Sequence, residues 1–231
     1  DDGQVLQGEV QTKTLRLQMG FSEVEIPLDD IGEIQPVEGG TLAGSGNQVS
    51  VWLRNGSELR GQWAEPELDM GLSVGGENVH VALPMDALQR FQLQGGESMA
   101  DGMVYRVRTV WGDDFVVDGA ATWVTLENDL GTFTPTLDEV TELTAIDGGD
   151  WRMALETGSV LIGPLAGEAL TLALPLGPEG IELPIDQITS IQRQDWGGYG
   201  DYRDTMPAQA GELDSGMWFD NIGQSSFKSL Q

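Results

Sequence analysis

The 231-residue sequence contains no cysteine, a single histidine (His80) and only two lysines (Lys13 and Lys228). Without cysteine there is no disulfide framework, no thiol nucleophile and no cysteine-ligated zinc or iron–sulfur centre. One histidine excludes histidine-rich metal sites and makes any nucleophile–base pair depend on His80. Positive charge is scarce: 11 Lys and Arg stand against 38 Asp and Glu, a formal charge of −27. A nucleic-acid binder needs basic residues to displace counterions, so a chain this acidic repels nucleic acid and anionic membrane surfaces alike. Long apolar runs are also missing. The longest, Leu170-Thr171-Leu172-Ala173-Leu174-Pro175-Leu176, falls well short of the ~20 residues of a membrane-spanning helix. The acidity is spread along the chain. It fits a soluble protein held apart from its neighbours by like charge, or adaptation to high salt, where screening makes such a charge tolerable.

What the chain has in excess is glycine, 32 residues, about twice the usual ~7 %, and much of it falls in a recurring phrase. Asp2-Gly3-Gln4-Val5-Leu6-Gln7-Gly8 returns as Asn55-Gly56-Ser57-Glu58-Leu59-Arg60-Gly61 and as Thr157-Gly158-Ser159-Val160-Leu161-Ile162-Gly163. A degenerate copy, Trp111-Gly112-Asp113-Asp114-Phe115-Val116-Val117, keeps the turn glycine but not the second one. A second phrase follows each first: Pro27-Leu28-Asp29, Pro84-Met85-Asp86, Pro135-Thr136-Leu137-Asp138 and Pro184-Ile185-Asp186, each with apolar residues two and five positions beyond the Asp. Two phrases in one order, four times at about fifty-residue spacing, mark an internal repeat.

Each phrase has a physical reading. Asn55-Gly56 between two alternating segments predicts a two-residue type I′ hairpin turn. The second glycines, Gly8, Gly61 and Gly163, fall inside a strand and predict a sharp bend or a close backbone approach. The prolines end a strand because they cannot donate to a ladder. Asp29, Asp86, Asp138 and Asp186 are placed to cap one helical turn, and the apolar residues three apart beyond them are expected on one face of that turn. The expected unit is strand, turn, bent strand, two strands, one helical turn and a last strand. The expected fold class is all-β: four tandem SH3-like or Sm-like small β-barrel repeats plus an extended C-terminal arm. The boundaries are 1–36 (repeat 1), 49–94 (repeat 2), 103–146 (repeat 3, degenerate), 150–193 (repeat 4) and 194–231 (docking arm).

The phrase order, G-x-x-L-x-G then P-Φ-D-x-Φ-x-x-Φ with Φ apolar, resembles tandem small-β repeats of uncharacterised secreted or periplasmic bacterial proteins. That resemblance covers about 190 residues. It implies a fold and a periplasmic or extracellular location, with Asp1 as the end left by signal-peptide cleavage. It carries no catalytic residues.

Two irregularities stand out. Copies two, three and four have a strand before the turn glycine, at 49–54, 104–110 and 151–156, whereas copy one has only Asp1-Asp2. Its first strand is to be supplied by upstream residues, by the segment after Ile191 or by a neighbour, since a bare sheet edge is an aggregation hazard. The last segment sustains no period. Its Trp196, Tyr199, Tyr202, Trp218, Phe219 and Phe227 are too many aromatics for a purely disordered tail, and read as an arm docking on a protein partner or on another copy.

Candidate chemistry is sparse. His80 alternates with Val79 and Val81 and is expected to face solvent. The carboxylate pairs Asp29-Asp30 and Asp113-Asp114 would suit a glycosidase, but adjacent residues on a strand face opposite ways. Gly44-Ser45-Gly46 and Gly56-Ser57 make no nucleophile elbow, and Gly44-Ser45-Gly46-Asn47 has no following lysine for a phosphate loop. No D-x-D-x-D-G calcium loop occurs, and 195–204 is a weak substitute. No catalytic, metal or cofactor site is therefore expected. The leading reading is a non-enzymatic structural or interaction protein of the bacterial envelope or exterior. It would be an accessory or scaffold subunit, either an extrinsic subunit at the periphery of a respiratory or photosynthetic membrane complex or a filament subunit. The alternatives are a calcium- or carbohydrate-binding module, with Trp111, Trp123 or Trp151 as stacking platforms, and a carboxylate-dependent hydrolase.

Overall fold

Strict alternation shapes the first hairpin. In β2 (Thr14–Met19) Leu15, Leu17 and Met19 are buried while Thr14, Arg16 and Gln18 face out; in β3 (Glu23–Pro27) Val24 and Ile26 do the same. A period of two commits each segment to one buried face of a sheet. The computed structural model describes residues 6–37, 48–65, 67–84, 88–94, 102–146 and 148–196. Within them the protein is all-β, with helix confined to three single 3-10 turns, Leu28–Asp30, Leu137–Glu139 and Ile185–Gln187. Among the described residues no helix is long and apolar enough to cross a membrane.

The remaining strands are β1 (Glu9–Val10), β4 (Ile31–Pro36), β5 (Gln48–Leu53), β6 (Glu58–Trp63), β7 (Glu67–Val74), β8 (Glu77–Pro84) and β9 (Phe91–Gln92) in the first half. The second half holds β10 (Gly102–Thr109), β11 (Asp114–Val117), β12 (Leu126–Asn128), β13 (Gly131–Phe133), β14 (Val140–Ala145), β15 (Trp151–Leu155), β16 (Val160–Gly163), β17 (Ala169–Leu172), β18 (Ile181–Pro184) and β19 (Ile188–Trp196). A twelve-stranded sheet runs in the order β16-β15-β14-β19-β10-β11-β6-β5-β4-β9, with β2 joined to β6 and β3 to β2. Three small sheets, β1-β7-β8, β12-β13 and β17-β18, complete it. These strands close into no barrel. Instead, strands cross between the expected units: β6 pairs with β2 (Leu17↔Trp63), and β1 with β7 (Glu9↔Gly71).

The two halves carry the same pairing registers. Ile34 faces Val51 and Phe91, as Leu143 faces Met153 and Ile191. Val51 faces Leu59 as Met153 faces Leu161, and Leu68 faces Leu83 as Leu170 faces Leu183. Leu17 faces Trp63 as Leu126 faces Leu165. The same turn also recurs three times. Leu53, Thr109 and Leu155 each donate to the carbonyl four residues on and accept from the amide of Gly56, Gly112 or Gly158. Those glycines have φ of 83°, 89° and 83°.

This turn corrects the expected two-residue type I′ hairpin. A bond from Gly56 N–H to Leu53 C=O makes Arg54 and Asn55 the central residues of a three-residue loop, with Gly56 as the left-handed bulge residue. Asn55 instead turns its side chain inward, where Oδ1 accepts the Ser57 N–H at 3.0 Å.

The proline–aspartate phrase is also built differently. Pro27 and Pro184 end β3 and β18 and directly precede a 3-10 turn; Thr136, not Pro135, holds that place in the third copy. Asp29, Asp138 and Asp186 are the exposed middle residues of these turns and cap nothing. In the third copy Glu139 does the reaching back, accepting the Thr136 N–H at 3.0 Å. The paired apolar residues, Ile31 with Ile34 and Val140 with Leu143, lie on the following strand. Register slips between Ile31 and Glu33 and between Val140 and Glu142. A bulge of one residue lets two side chains three apart point into the same core. Asp86 lies outside the described residues; Pro84 ends β8.

Candidate interaction surface

The second glycines mark crossings of the two kinds of strand. A Cβ built on Gly61 would stand 2.6 Å from Leu17 Cγ and 2.7 Å from the Gln18 carbonyl oxygen. Gly163 meets the carbonyl of Glu127 in the same way, and a Cβ built on Gly8 would stand 2.5 Å from the Gly71 carbonyl oxygen. At each of these glycines two stretches of chain approach too closely to admit a side chain.

The seam between the halves is a single bridge, Asp114 on β11 to Glu58 on β6, framed by side chains. Arg106, almost wholly buried, holds Asp114 Oδ1 at 2.8 Å and donates to the Gly56 carbonyl at 3.0 Å. Arg108 takes the other Asp114 oxygen at 3.0 Å. Asp113 accepts the Arg60 N–H and the Thr109 hydroxyl, both at 2.7 Å. Burial pushes its carboxyl up to about 6, against those two hydrogen bonds, which favour the charged form. At the tip of the β2–β3 hairpin, Phe21 packs on Trp111 and Phe115, with ring centroids 5.5 Å and 6.4 Å apart. Ser57 Oγ accepts the Val116 N–H at 2.8 Å across the seam. Ser57→Ala removes that acceptor and leaves a buried amide unpaired; a loss of about 1–2 kcal/mol is expected in urea unfolding.

Asp113-Asp114 is therefore no catalytic pair, since each carboxylate is already engaged by different groups. Asp29 is exposed, and Asp30 accepts the Gly177 N–H at 2.9 Å. His80 is exposed on β8. The stacking platforms thin out: Trp151 is buried and Trp111 is packed on Phe21, leaving Trp123, 58 % exposed. Gly44-Ser45-Gly46-Asn47 lies outside the described residues. Of the arm, Trp196 ends β19, paired with Gly102, so the ordered sheet reaches into the segment expected to be extended. Tyr199, Tyr202, Trp218, Phe219 and Phe227 lie outside the described residues, as does most of 195–204.

Two features of the ends of the sheet escaped the sequence reading. In the second half β19 is flanked by β14 and β10; its counterpart β9 pairs, among the described residues, only with β4. Nothing described occupies the place of β10. Leu6 is 46 % exposed, whereas Leu59, Phe115 and Leu161, at the same offset in the other copies of the phrase, are buried. At the other end β16 exposes Val160 and Ile162 at 48 % and 51 %. The legible signal was three successive apolar residues, Val160-Leu161-Ile162, where a strand with one wet face would alternate. Compared with known proteins, the chain matches no family model, no curated protein and no solved structure.

Proposed function

We propose that this protein is a non-enzymatic structural or interaction protein, an accessory or scaffold subunit of a larger assembly at the bacterial envelope or exterior. Its four units are then variants of one small SH3-like β-unit, exchanging strands in two pairs instead of closing as separate barrels. The observation that carries this reading is the apolar surface of β16, which ends the large sheet among the described residues and exposes Val160 and Ile162. An end strand with exposed apolar side chains invites a strand from another polypeptide, which adds main-chain hydrogen bonds and apolar burial together. The aromatic arm is the second element, because Trp and Tyr are efficient interface anchors. At −27 the surface keeps unmatched proteins away and leaves contacts to specific surfaces.

The test is removal of 197–231, a cut that spares β19. Gentle size-exclusion with mass spectrometry should find the intact protein in company and the truncated one alone, with the melting temperature of the repeats nearly unchanged. Unfolding of the truncated chain would place the arm in its own core and end this reading. So would an intact protein that stays solitary at every concentration and salt.

A further inference from the structure

The seam inside the molecule is a contact between like parts. Glu58 lies two residues after the turn glycine Gly56, and Asp114 two after Gly112, so the one bridge of the seam joins the same position of two repeated turns. The bonds on either side of it match as well. The Arg60 N–H, four residues beyond Gly56, donates to Asp113 Oδ1, one beyond Gly112. The Val116 N–H, four beyond Gly112, donates to Ser57 Oγ, one beyond Gly56. Copies two and three thus meet antiparallel about a local two-fold axis between Glu58 and Asp114, each giving an amide and each accepting one. Arg106 adds a bond of its own from β10 to the Gly56 carbonyl.

Copy four carries the parts of this contact at one edge, and among the described residues no strand other than β15 pairs with β16. Val160 and Ile162 lie two and four residues beyond Gly158. The Leu155 N–H donates to the Ser159 carbonyl, so the alternation of the ladder turns the main-chain groups of Leu161 toward β15 and those of Val160 and Ile162 outward. The Ile162 carbonyl accepts the Asn128 side-chain amide from that outer side. Ser159, exposed, stands where Ser57 stands. Arg152 stands where Arg106 stands, opposite Ile162 as Arg106 is opposite Val116. Copy two supplies the serine of the seam and copy three the arginine; copy four has both, which makes its edge self-complementary. On a true two-fold axis a residue meets its own image, so a charge there would face a like charge. Among the three described turns that position holds Glu58, Asp114 and Val160, and only the last is uncharged. Phe21, four residues beyond Leu17, packs across the seam on Trp111; its counterpart four beyond Leu126 is Leu130, 81 % exposed.

We propose that two copies of this chain pair edge to edge through β16, about a two-fold axis between Val160 of one copy and Val160 of the other. In that contact the Ile162 N–H of each copy donates to the Ser159 hydroxyl oxygen of the other. Arg152, which holds Glu142 through Nη1, reaches the Gly158 carbonyl of the other copy through its remaining donors, as Arg106 reaches Gly56. The two sheets join, and the Val160, Ile162 and Leu130 side chains leave water. This names the strand that the reading of an assembling protein calls for, and rests on that reading. The contact is isologous, so it closes at the dimer. It is short, and it forms between copies that each carry −27. Dimers are therefore expected at concentrations well above those on a sizing column, and more readily in about 1 M salt, where the screening length falls to about 3 Å.

Sedimentation velocity of the full chain at rising concentration, with Val160→Asp and Val160→Lys variants, tests the pairing. Val160 is exposed, and unchanged melting curves check that the variants fold. The wild-type chain should pass from monomer to dimer and no further. Each variant alone should be monomeric, because like charges meet on the axis. Mixed in equal amounts they should dimerise again, since Asp then meets Lys. The lack of cysteine supplies a second readout. A hydrogen-bonded antiparallel pair holds its Cα atoms about 5.5 Å apart, within disulfide range, so oxidised Val160→Cys should form a covalent dimer. Val79→Cys, 43 % exposed on β8, should not. Removal of 197–231 should leave the dimer intact at the same concentrations. A wild-type chain that stays monomeric overturns the proposal, as do species that grow past the dimer, dimers that survive Val160→Asp or vanish with 197–231, or a mixture that stays monomeric. A wild-type chain that never pairs with itself but keeps a different protein on native size-exclusion overturns the dimer and leaves the broader functional reading intact.

Discussion

Gly61→Val and Gly163→Val are each expected to lower stability by about 3 kcal/mol or more, at the upper end of what overpacking costs. For a chain of this length that is a fall in melting temperature of roughly 6–12 °C. The new side chain at Gly61 has nowhere to go: Leu17 Cγ and the Gln18 carbonyl occupy the place of its Cβ. Leu17 is fully buried, and the carbonyl belongs to a strand fixed by pairing with β3 and β6, so neither yields without moving a ladder. Gly163 meets the Glu127 carbonyl at the same kind of crossing. The control is Gly180→Ala, whose nearest neighbour would be the Leu172 carbonyl at 3.8 Å, an ordinary contact; a change within about 0.5 kcal/mol is expected there. Chemical denaturation of the three variants checks this. Equal losses at all three would mean that chain entropy, not the crossing, governs the cost.

Those glycines also show how far the sequence could be read. A glycine recurring at one offset after a turn announces a close approach, because only a missing side chain explains it in a strand. What it meets was not legible, since the crossing strand comes from a different unit and no local pattern encodes that pairing. The class of fold was plain from alternation, turn glycines and strand-ending prolines. Two local readings failed for one reason, an extra residue in the backbone. The bulge after Ile31 places Ile34 in the core with a spacing that mimics a helix, and the bulge residue Gly56 turns an apparent two-residue hairpin into a three-residue one. The seam was not legible, because Arg106, Asp113 and Phe21 are brought together by the docking of two halves, and none stands out in its own segment.

Between about pH 4 and pH 6 the wild-type protein is expected to lose stability that an Asp113→Asn variant does not lose. Burial raises the Asp113 carboxyl from its ordinary value of 3.8 to about 6 in the folded protein. Below 3.8 the group is protonated in folded and unfolded chains alike. As pH rises from there, the unfolded chain releases its proton while the folded one retains it, so ionisation favours unfolding. Above about 6 both are charged and the loss is complete. Two pH units of displacement correspond to about 3 kcal/mol. Asparagine keeps an acceptor for the Arg60 N–H and an amide that can donate to Thr109 Oγ, without a charge to bury. The stability difference between wild type and variant, from urea unfolding at pH 4 and pH 7, should therefore shift by about 3 kcal/mol in favour of the variant at the higher pH. Comparing the two proteins cancels the other acidic groups, including the Asp114 pairs with Arg106 and Arg108, which both retain. Parallel stability curves would mean that water reaches Asp113 and that the seam is looser than its geometry indicates.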